Sequence, residues 1–216
     1  TALGLPLLAG GRGGLAVFAS PSVGFLIGFP IAAFVTGWSM QHLARFSIGS
    51  ASALAALGAT VVLAGRSESK AMDVVEQIKT DTGNKAVDYL LADYEDLDQV
   101  RQMASDFRER YSRLDVLVNN AGAFFNRRIV TPYGVEKTFL VNHLAPFLLT
   151  ALLRERLIGS APARVVTTSS GAHAGAKTGL DFDDLMFERG YSAFKVYSRT
   201  KLANILFTRE LARTFE

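Results

Sequence analysis

Thr60-Val61-Val62-Leu63-Ala64 is a continuous apolar run rich in β-branched residues, and such a run marks a strand covered on both faces. Helical patterns flank it. Ala51 to Leu57 upstream is Ala/Leu-rich and closes at Gly58, a residue suited to the left-handed position that ends a helix. Ser69 to Thr80 downstream carries Met72, Val75 and Ile78 on one side and ends at the turn Thr82-Gly83-Asn84. The alternation continues through strand Ala86 to Ala92, helix Leu97 to Tyr111, strand Leu114 to Val118, a long helix from Tyr133 to Leu153 that Pro146 is expected to kink, and strand Arg164 to Thr168. A last helix starts at Tyr197, with Leu202, Ile205, Leu206 and Leu211 as its apolar stripe. Strands separated by helices throughout predict βαβ units and a single α/β domain built on a doubly wound parallel sheet.

The chain's 216 residues, 49% hydrophobic and 20% charged, suffice for one such domain with a substantial core. Net charge is +3 and no run of Lys and Arg reaches five, so nucleic acid is not expected as a partner. There is no cysteine, which excludes disulfides and thiolate metal sites and fits a reducing, cytoplasmic setting. His42, His143 and His173 are scattered without ligand spacing, so no metal is expected. No residue between Arg12 and Arg45 carries a formal charge, and Leu15 to Val35 is largely apolar. That segment suits a membrane anchor over residues 15–34, a signal peptide, or a short buried strand Ile31-Ala32-Ala33-Phe34-Val35 running into Thr36-Gly37. The strand is adopted because the sheet needs one there, which leaves 1–30 as an apolar leader and 31–216 as the folded domain. The last residue falls inside the helical pattern begun at Tyr197, so the domain is expected to be incomplete at its C-terminus.

In a doubly wound sheet, ligands bind outside the carboxyl ends of the strands. Each expected strand end carries a polar signal. Gly65-Arg66-Ser67 follows the second strand; an arginine there accommodates a 2′-phosphate where an acidic residue would take a ribose hydroxyl, so Arg66 points to NADP(H) ahead of NAD(H). Asp93 after the third strand could receive an adenine amino group or cap a helix. Asn119-Asn120-Ala121-Gly122 after the fourth offers amides that tie neighbouring strands and small residues that let backbone approach a flat ligand. Thr168-Ser169-Ser170-Gly171 after the fifth offers hydroxyls, and Ser170 could donate to a reacting oxygen.

Tyr197-Ser198-Arg199-Thr200-Lys201 places an ammonium one helical turn from a phenol. A phenol has a pKa of about 10, and a cation roughly 5 Å away at an effective dielectric of about 20 lowers it by about two units. The pair is thus a candidate acid/base device. A second copy, Tyr191-Ser192-Ala193-Phe194-Lys195, precedes it.

Gly65-Arg66, Asn119-Asn120-Ala121-Gly122, Asn142 in Val141-Asn142-His143-Leu144, Ser169-Ser170 and Tyr197-x-x-x-Lys201, in this order, resemble the short-chain dehydrogenase/reductase family. Within it, the long interval from Ser170 to Tyr197 and the continuation Lys201-Leu202-Ala203-Asn204 resemble the retinol dehydrogenase and WW-domain oxidoreductase branch. The resemblance implies a Rossmann-type dinucleotide-binding domain that moves hydride between NADP(H) and an alcohol, aldehyde or ketone. It makes Tyr197 the general acid/base and Lys201 the group that lowers its pKa and holds the nicotinamide ribose. Ser170 would fix the substrate oxygen and Asn142 would support a proton-relay water chain, while Asn120, Ala121 and Gly122 line the cofactor cleft. Tyr197 is chosen over Tyr191 because only Tyr197 is followed by the family's Lys-Leu-Ala-Asn helix. A homo-oligomer is kept open as a partner state.

One motif departs from the family. Its phosphate loop reads Thr-Gly-x-x-x-Gly-x-Gly, whereas here Thr36-Gly37 is followed by Trp38 to Phe46 before Ser47-Ile48-Gly49. Thr36, Gly37, Ser47, Ile48 and Gly49 are the expected phosphate contacts, with about six additional residues among them. The alternative function this suggests is a non-catalytic scaffold of the same fold in which dinucleotide binding is impaired.

Overall fold

The computed structural model of the chain describes residues 43–214. The leader, the expected strand Ile31–Val35 and the phosphate contacts Thr36 and Gly37 lie outside the described residues. Contacts divide the chain into two units. Ser47–Ile205 holds every described strand and the candidate site; the other unit's described residues are 43–46 and 206–214, the start of the first helix and the end of the last.

The order of elements is α1 (Leu43–Ala56), β1 (Val61–Gly65), α2 (Glu68–Thr82), β2 (Val87–Leu91), α3 (Leu97–Arg110), β3 (Val116–Asn119), a short α4 (Lys137–Phe139) that passes through a π-helical segment Leu140–Leu144 into α5 (Ala145–Leu152), then α6 (Arg154–Gly159), β4 (Arg164–Thr167) and α7 (Ala193–Thr214). The α/β alternation is as expected. Among the described residues the strands form two separate two-stranded parallel sheets, β1 with β2 in register Val61↔Val87 and β3 with β4 in register Val116↔Arg164.

Local chemistry explains the boundaries. α2 stops where Gly83 takes φ 71° and returns its N–H to the Lys79 carbonyl at 2.9 Å, a left-handed stop that a side chain would strain. Asn84 then donates to the carbonyls of Ala55 and Ala59, at 2.8 and 2.9 Å, which fixes the end of α1 beside the start of β1. α3 is capped by Asp96, whose carboxylate accepts from Asp98 N. Alternate residues of the strands then feed two cores. Val61 and Val87 face α1 and α2, packing with Ala51, Ala55, Val75 and Ile78. Leu90, Ala92 and Leu117 face α3 and α5, packing with Val100, Met103, Ala145 and Leu149. This second core draws on both strand pairs, so it sets the carboxyl ends of β1, β2, β3 and β4 in one body. Complete burial of Ile78 and of Val100 contributes about 1.5–3 kcal/mol each. On the opposite face of β3, Val116 and Val118 are exposed.

Three sequence expectations are corrected. α1 begins at Leu43, so Ser47, Ile48 and Gly49 lie within a helix rather than in a loop ahead of one; Leu43 and Ala44 are good helix formers and extend it backwards. The long helix is not simply kinked at Pro146. Its middle turn widens to a π segment, and Pro146 sits in the first turn of the α-helix that follows. In α7 the buried face is not the aliphatic stripe. Val196 to Lys201, Ala203 and Asn204 are buried, while Ile205 and Leu206 are exposed. The polar side chains go inside because partners await several of them there. Among the described residues no helix is long and apolar enough to cross a membrane.

Candidate active site

Tyr197 is 8% exposed and Lys201 3%. Their helical spacing puts the Lys201 ammonium 5.5 Å from the centroid of the Tyr197 ring. Lys201 Nζ donates to the Thr168 carbonyl at 3.2 Å, just beyond β4, and Ser169 Oγ donates to the Lys201 carbonyl at 2.8 Å. These two bonds tie α7 to the carboxyl end of β4. Ser170 follows, near enough to the Tyr197 phenol to favour its ionised form, while its Oγ accepts from Ala172 N at 3.2 Å. The phenol, the ammonium and the Ser170 hydroxyl are therefore brought together.

The charge balance differs from the sequence expectation. Burial pushes the Tyr197 phenol above its ordinary pKa, and the Ser170 hydroxyl offsets this only in part. Burial also drives Lys201 down to about 8. Desolvation thus outweighs the through-space attraction of the pair, because at this depth the ammonium is itself disfavoured. Phe124, 49% exposed, stands edge-on to the Tyr197 ring with centroids 5.7 Å apart, an apolar wall beside the phenol.

Asn142 is fully buried at the centre of the π segment. Its amide accepts from Ala123 N at 2.6 Å and donates to Ala123 O at 2.9 Å and to Thr200 Oγ1 at 3.3 Å. It therefore clamps the loop after β3 to α7. Gly122 in that loop passes so close that a Cβ there would lie 3.3 Å from Lys201 Nζ. Asn120 accepts from Thr168 Oγ1 at 2.8 Å and joins the ends of β3 and β4, as expected of an amide there. Asn119 instead turns to α5 and donates to Thr150 Oγ1 at 2.9 Å.

The residues at the other strand ends are more dispersed. Arg66, beyond β1, keeps a largely exposed side chain 3.9 Å from Glu95, which also pairs with Lys137 at 2.7 Å. Asp93 does not cap α3; it accepts from Glu95 N at 3.0 Å in a local turn, and Asp96 is the cap. Ser47, Ile48 and Gly49 are the expected contacts that the structure does not arrange as predicted. Beyond the first four residues of a helix the N–H groups are taken by carbonyls one turn back, so these three present no free amides to a phosphate.

The second Tyr/Lys pair separates in the fold. Tyr191 precedes α7 and donates to the Phe125 carbonyl at 3.0 Å, while Lys195 is exposed. Thr200 and Asn204 are the polar residues of this neighbourhood to which sequence reasoning gave no role. Their signal was spacing: Thr200 and Asn204 stand three and seven residues after Tyr197, on or near its face of the helix. Among the described residues no cluster of three acidic or histidine side chains is placed to hold a metal.

An α/β body with parallel strands, polar residues gathered at their carboxyl ends and a buried Tyr/Lys pair beside a close-approaching glycine is the architecture of a nucleotide-dependent oxidoreductase. The short chain dehydrogenase model matches residues 43–181, and the chain belongs to that family, in its retinol dehydrogenase-like branch. Human retinol dehydrogenase 12 is 43% identical over 163 residues, covering 76% of this chain and 51% of that protein. Human polyprenol dehydrogenase is 41% identical over 164 residues, covering 74% of this chain and 49% of that one. The chain thus spans about half the length of these curated relatives. Among solved structures, the Pseudomonas aeruginosa RhlG/NADP active-site complex is 26% identical with a TM-score of 0.59, covering 77% of this chain and 62% of that one. The BioY family model matches residues 1–68, most of which precede the described residues.

Proposed function

We propose that the chain carries the site of an NADP(H)-dependent oxidoreductase that interconverts a lipophilic alcohol and its carbonyl compound, with Tyr197 as general acid/base. The observation that carries this is the buried Tyr197 phenol with the Lys201 ammonium on the next turn and Ser170 beside it. When bound, the nicotinamide would supply the hydride chemistry. The chain's own residues handle the proton. The phenol is held protonated at neutral pH by burial, so it is ready to donate to a carbonyl oxygen. Ser170 supplies a second donor at the same oxygen. Lys201, poised near pH 8, favours the phenolate whenever it is charged.

Several features of the structure fit a dinucleotide. Gly122 leaves room beside Lys201 Nζ, and Arg66 is an exposed cation beyond β1 suited to a 2′-phosphate. A lipophilic substrate fits the exposed Phe124 next to the phenol, and the retinol and polyprenol named in two relatives are lipophilic alcohols. A cytoplasmic setting, with membrane attachment through residues 15–34 and a homo-oligomeric state as its open alternatives, belongs to the same proposal. The helical position of Ser47–Gly49 favours a second reading, a scaffold with impaired cofactor binding.

Titration of the chain with NADPH, followed by the change in cofactor fluorescence, separates the two. Saturable binding supports the enzyme, and none at millimolar cofactor supports the scaffold. Arg66→Asp should shift preference from NADPH towards NADH by about 10- to 100-fold, the worth of one hydrogen bond to a charged group. An unchanged ratio of the two dissociation constants would sink the 2′-phosphate assignment.

The pH dependence of stability supplies another expectation. Burial lowers the pKa of His143, and its hydrogen bond to Asn204 Oδ1 opposes the shift. A histidine whose folded pKa is depressed stabilises the fold above its unfolded value near 6.5 and loses that contribution as pH falls through the folded pKa. Chemical denaturation midpoints of the wild type should therefore fall between pH 7 and pH 5 more steeply than those of His143→Gln. Equal slopes would mean that His143 titrates alike in both states.

A further inference from the structure

Pro146 has no N–H, so the carbonyl one turn back, that of Asn142, lacks the donor an α-helix would give it. A side chain supplies it from α7. Asn204 Nδ2 donates to the Asn142 carbonyl at 3.1 Å, and Asn204 Oδ1 lies 3.0 Å from His143 Nδ1. Because Nδ2 is the donor, Oδ1 must accept, so His143 carries its proton on Nδ1. One amide thereby holds two consecutive residues of the π segment, and Asn204 is 3% exposed. In the widened turn Ala145 N reaches back to the Leu140 carbonyl in π register.

We propose that Asn204 is a positioning residue of the site, compensating Pro146 and thereby fixing the Asn142 side chain between the loop after β3 and α7. The proposal rests on reading Tyr197, Lys201 and Asn142 as one catalytic centre, but its physical core is independent of turnover. Asn204 acts on the Asn142 backbone. Asn142 in turn holds Ala123 through both edges of its amide and touches Thr200, whose Oγ1 donates to the Tyr197 carbonyl at 2.8 Å. The chain of contact runs from Asn204 through the π segment to the backbone that passes Lys201 Nζ at Gly122. Leucine in place of Asn204 would release the carbonyl and the imidazole together. Aspartate would keep an acceptor for His143 and lose the donor to Asn142.

Amide hydrogen exchange of the full chain tests this without a substrate. In Asn204→Leu and in Asn204→Asp, exchange at the Ala123 amide, bonded to Asn142 Oδ1, should quicken at least tenfold on the order of a lost buried hydrogen bond. The Leu117 amide of β3 should not change. Pro146→Ala restores the missing helical donor, and in that background Asn204→Leu should leave Ala123 much less affected. An unaltered Ala123 amide, a parallel rise at Leu117, or an equal effect with and without Pro146 would each overturn the proposal. Where the wild type binds NADPH and turns over, Asn204→Leu should also displace the inflection of its pH–rate profile, which a loss of overall stability would not do. If the wild type binds no NADPH, the proposed function fails while the exchange experiment still decides the role of Asn204.

Discussion

Tyr197→Phe should lower turnover by about two to four orders of magnitude, the contribution of a positioned general acid/base, and leave NADPH affinity almost unchanged. The substitution removes one oxygen and keeps the ring, so the edge contact with Phe124 at 5.7 Å survives. It also relieves the cost of holding a hydroxyl at a site where burial already disfavours its anion. Tyr191→Phe is the control. Its hydroxyl donates to the Phe125 carbonyl on the way into α7 and has no lysine one turn on along a helix, so turnover should stay near the wild-type value. Measuring kcat for both variants alongside NADPH fluorescence titrations gives the ranking. If Tyr191→Phe proved the more damaging, the phenol assigned to proton transfer would be the wrong one.

Lys201→Met should abolish turnover and yet stabilise the unliganded fold at pH 7 by up to about 3 kcal/mol. Burial lowers the lysine pKa to about 8 from its ordinary value of about 10.5, and about 1.36 kcal/mol accompanies each unit. The sign follows from proton binding. Between pH 8 and 10.5 the unfolded chain holds more protons at this lysine than the folded one, so stability rises with pH across that window. Below pH 8 both states are charged and the folded state carries the full cost of a buried ammonium, relieved by its bond to the Thr168 carbonyl. Methionine fills the same space without the charge. Paired denaturant titrations at pH 7 and pH 10 should show the variant's advantage shrinking as pH rises. A variant less stable than wild type at pH 7 would show that the ammonium is fully compensated in its pocket. The expected trade of stability for a charged group is the usual signature of a working site.

Much of this was legible along the chain. The run Thr60 to Ala64, the glycines at 58 and 83 and the helical periodicity around Val75 and Ile78 place β1, α2 and the end of α1 within a few residues of where they lie, because such signals depend on neighbours in sequence. The strand-end motifs were legible for the same reason: Asn120 and Gly122 sit where small and amide residues after a buried strand should sit. The start of α1 was misread because the expected phosphate loop took precedence over the helix-forming residues that precede Ser47. The face of α7 was misread because hydrophobicity counts side chains without their partners. Ser198, Arg199, Thr200, Lys201 and Asn204 outrank the leucines for burial.

Residue order alone therefore determined the alternation of strands and helices, the family, and the identity of the phenol and ammonium that meet one turn apart, since each follows from local spacing. Tertiary structure decided which of these groups are dry, and with it the direction of their pKa shifts, because desolvation depends on what packs around a side chain. It also decided that the Pro146 defect is met by Asn204, 58 residues further along the chain, a pairing that only the packing of two helices can bring about.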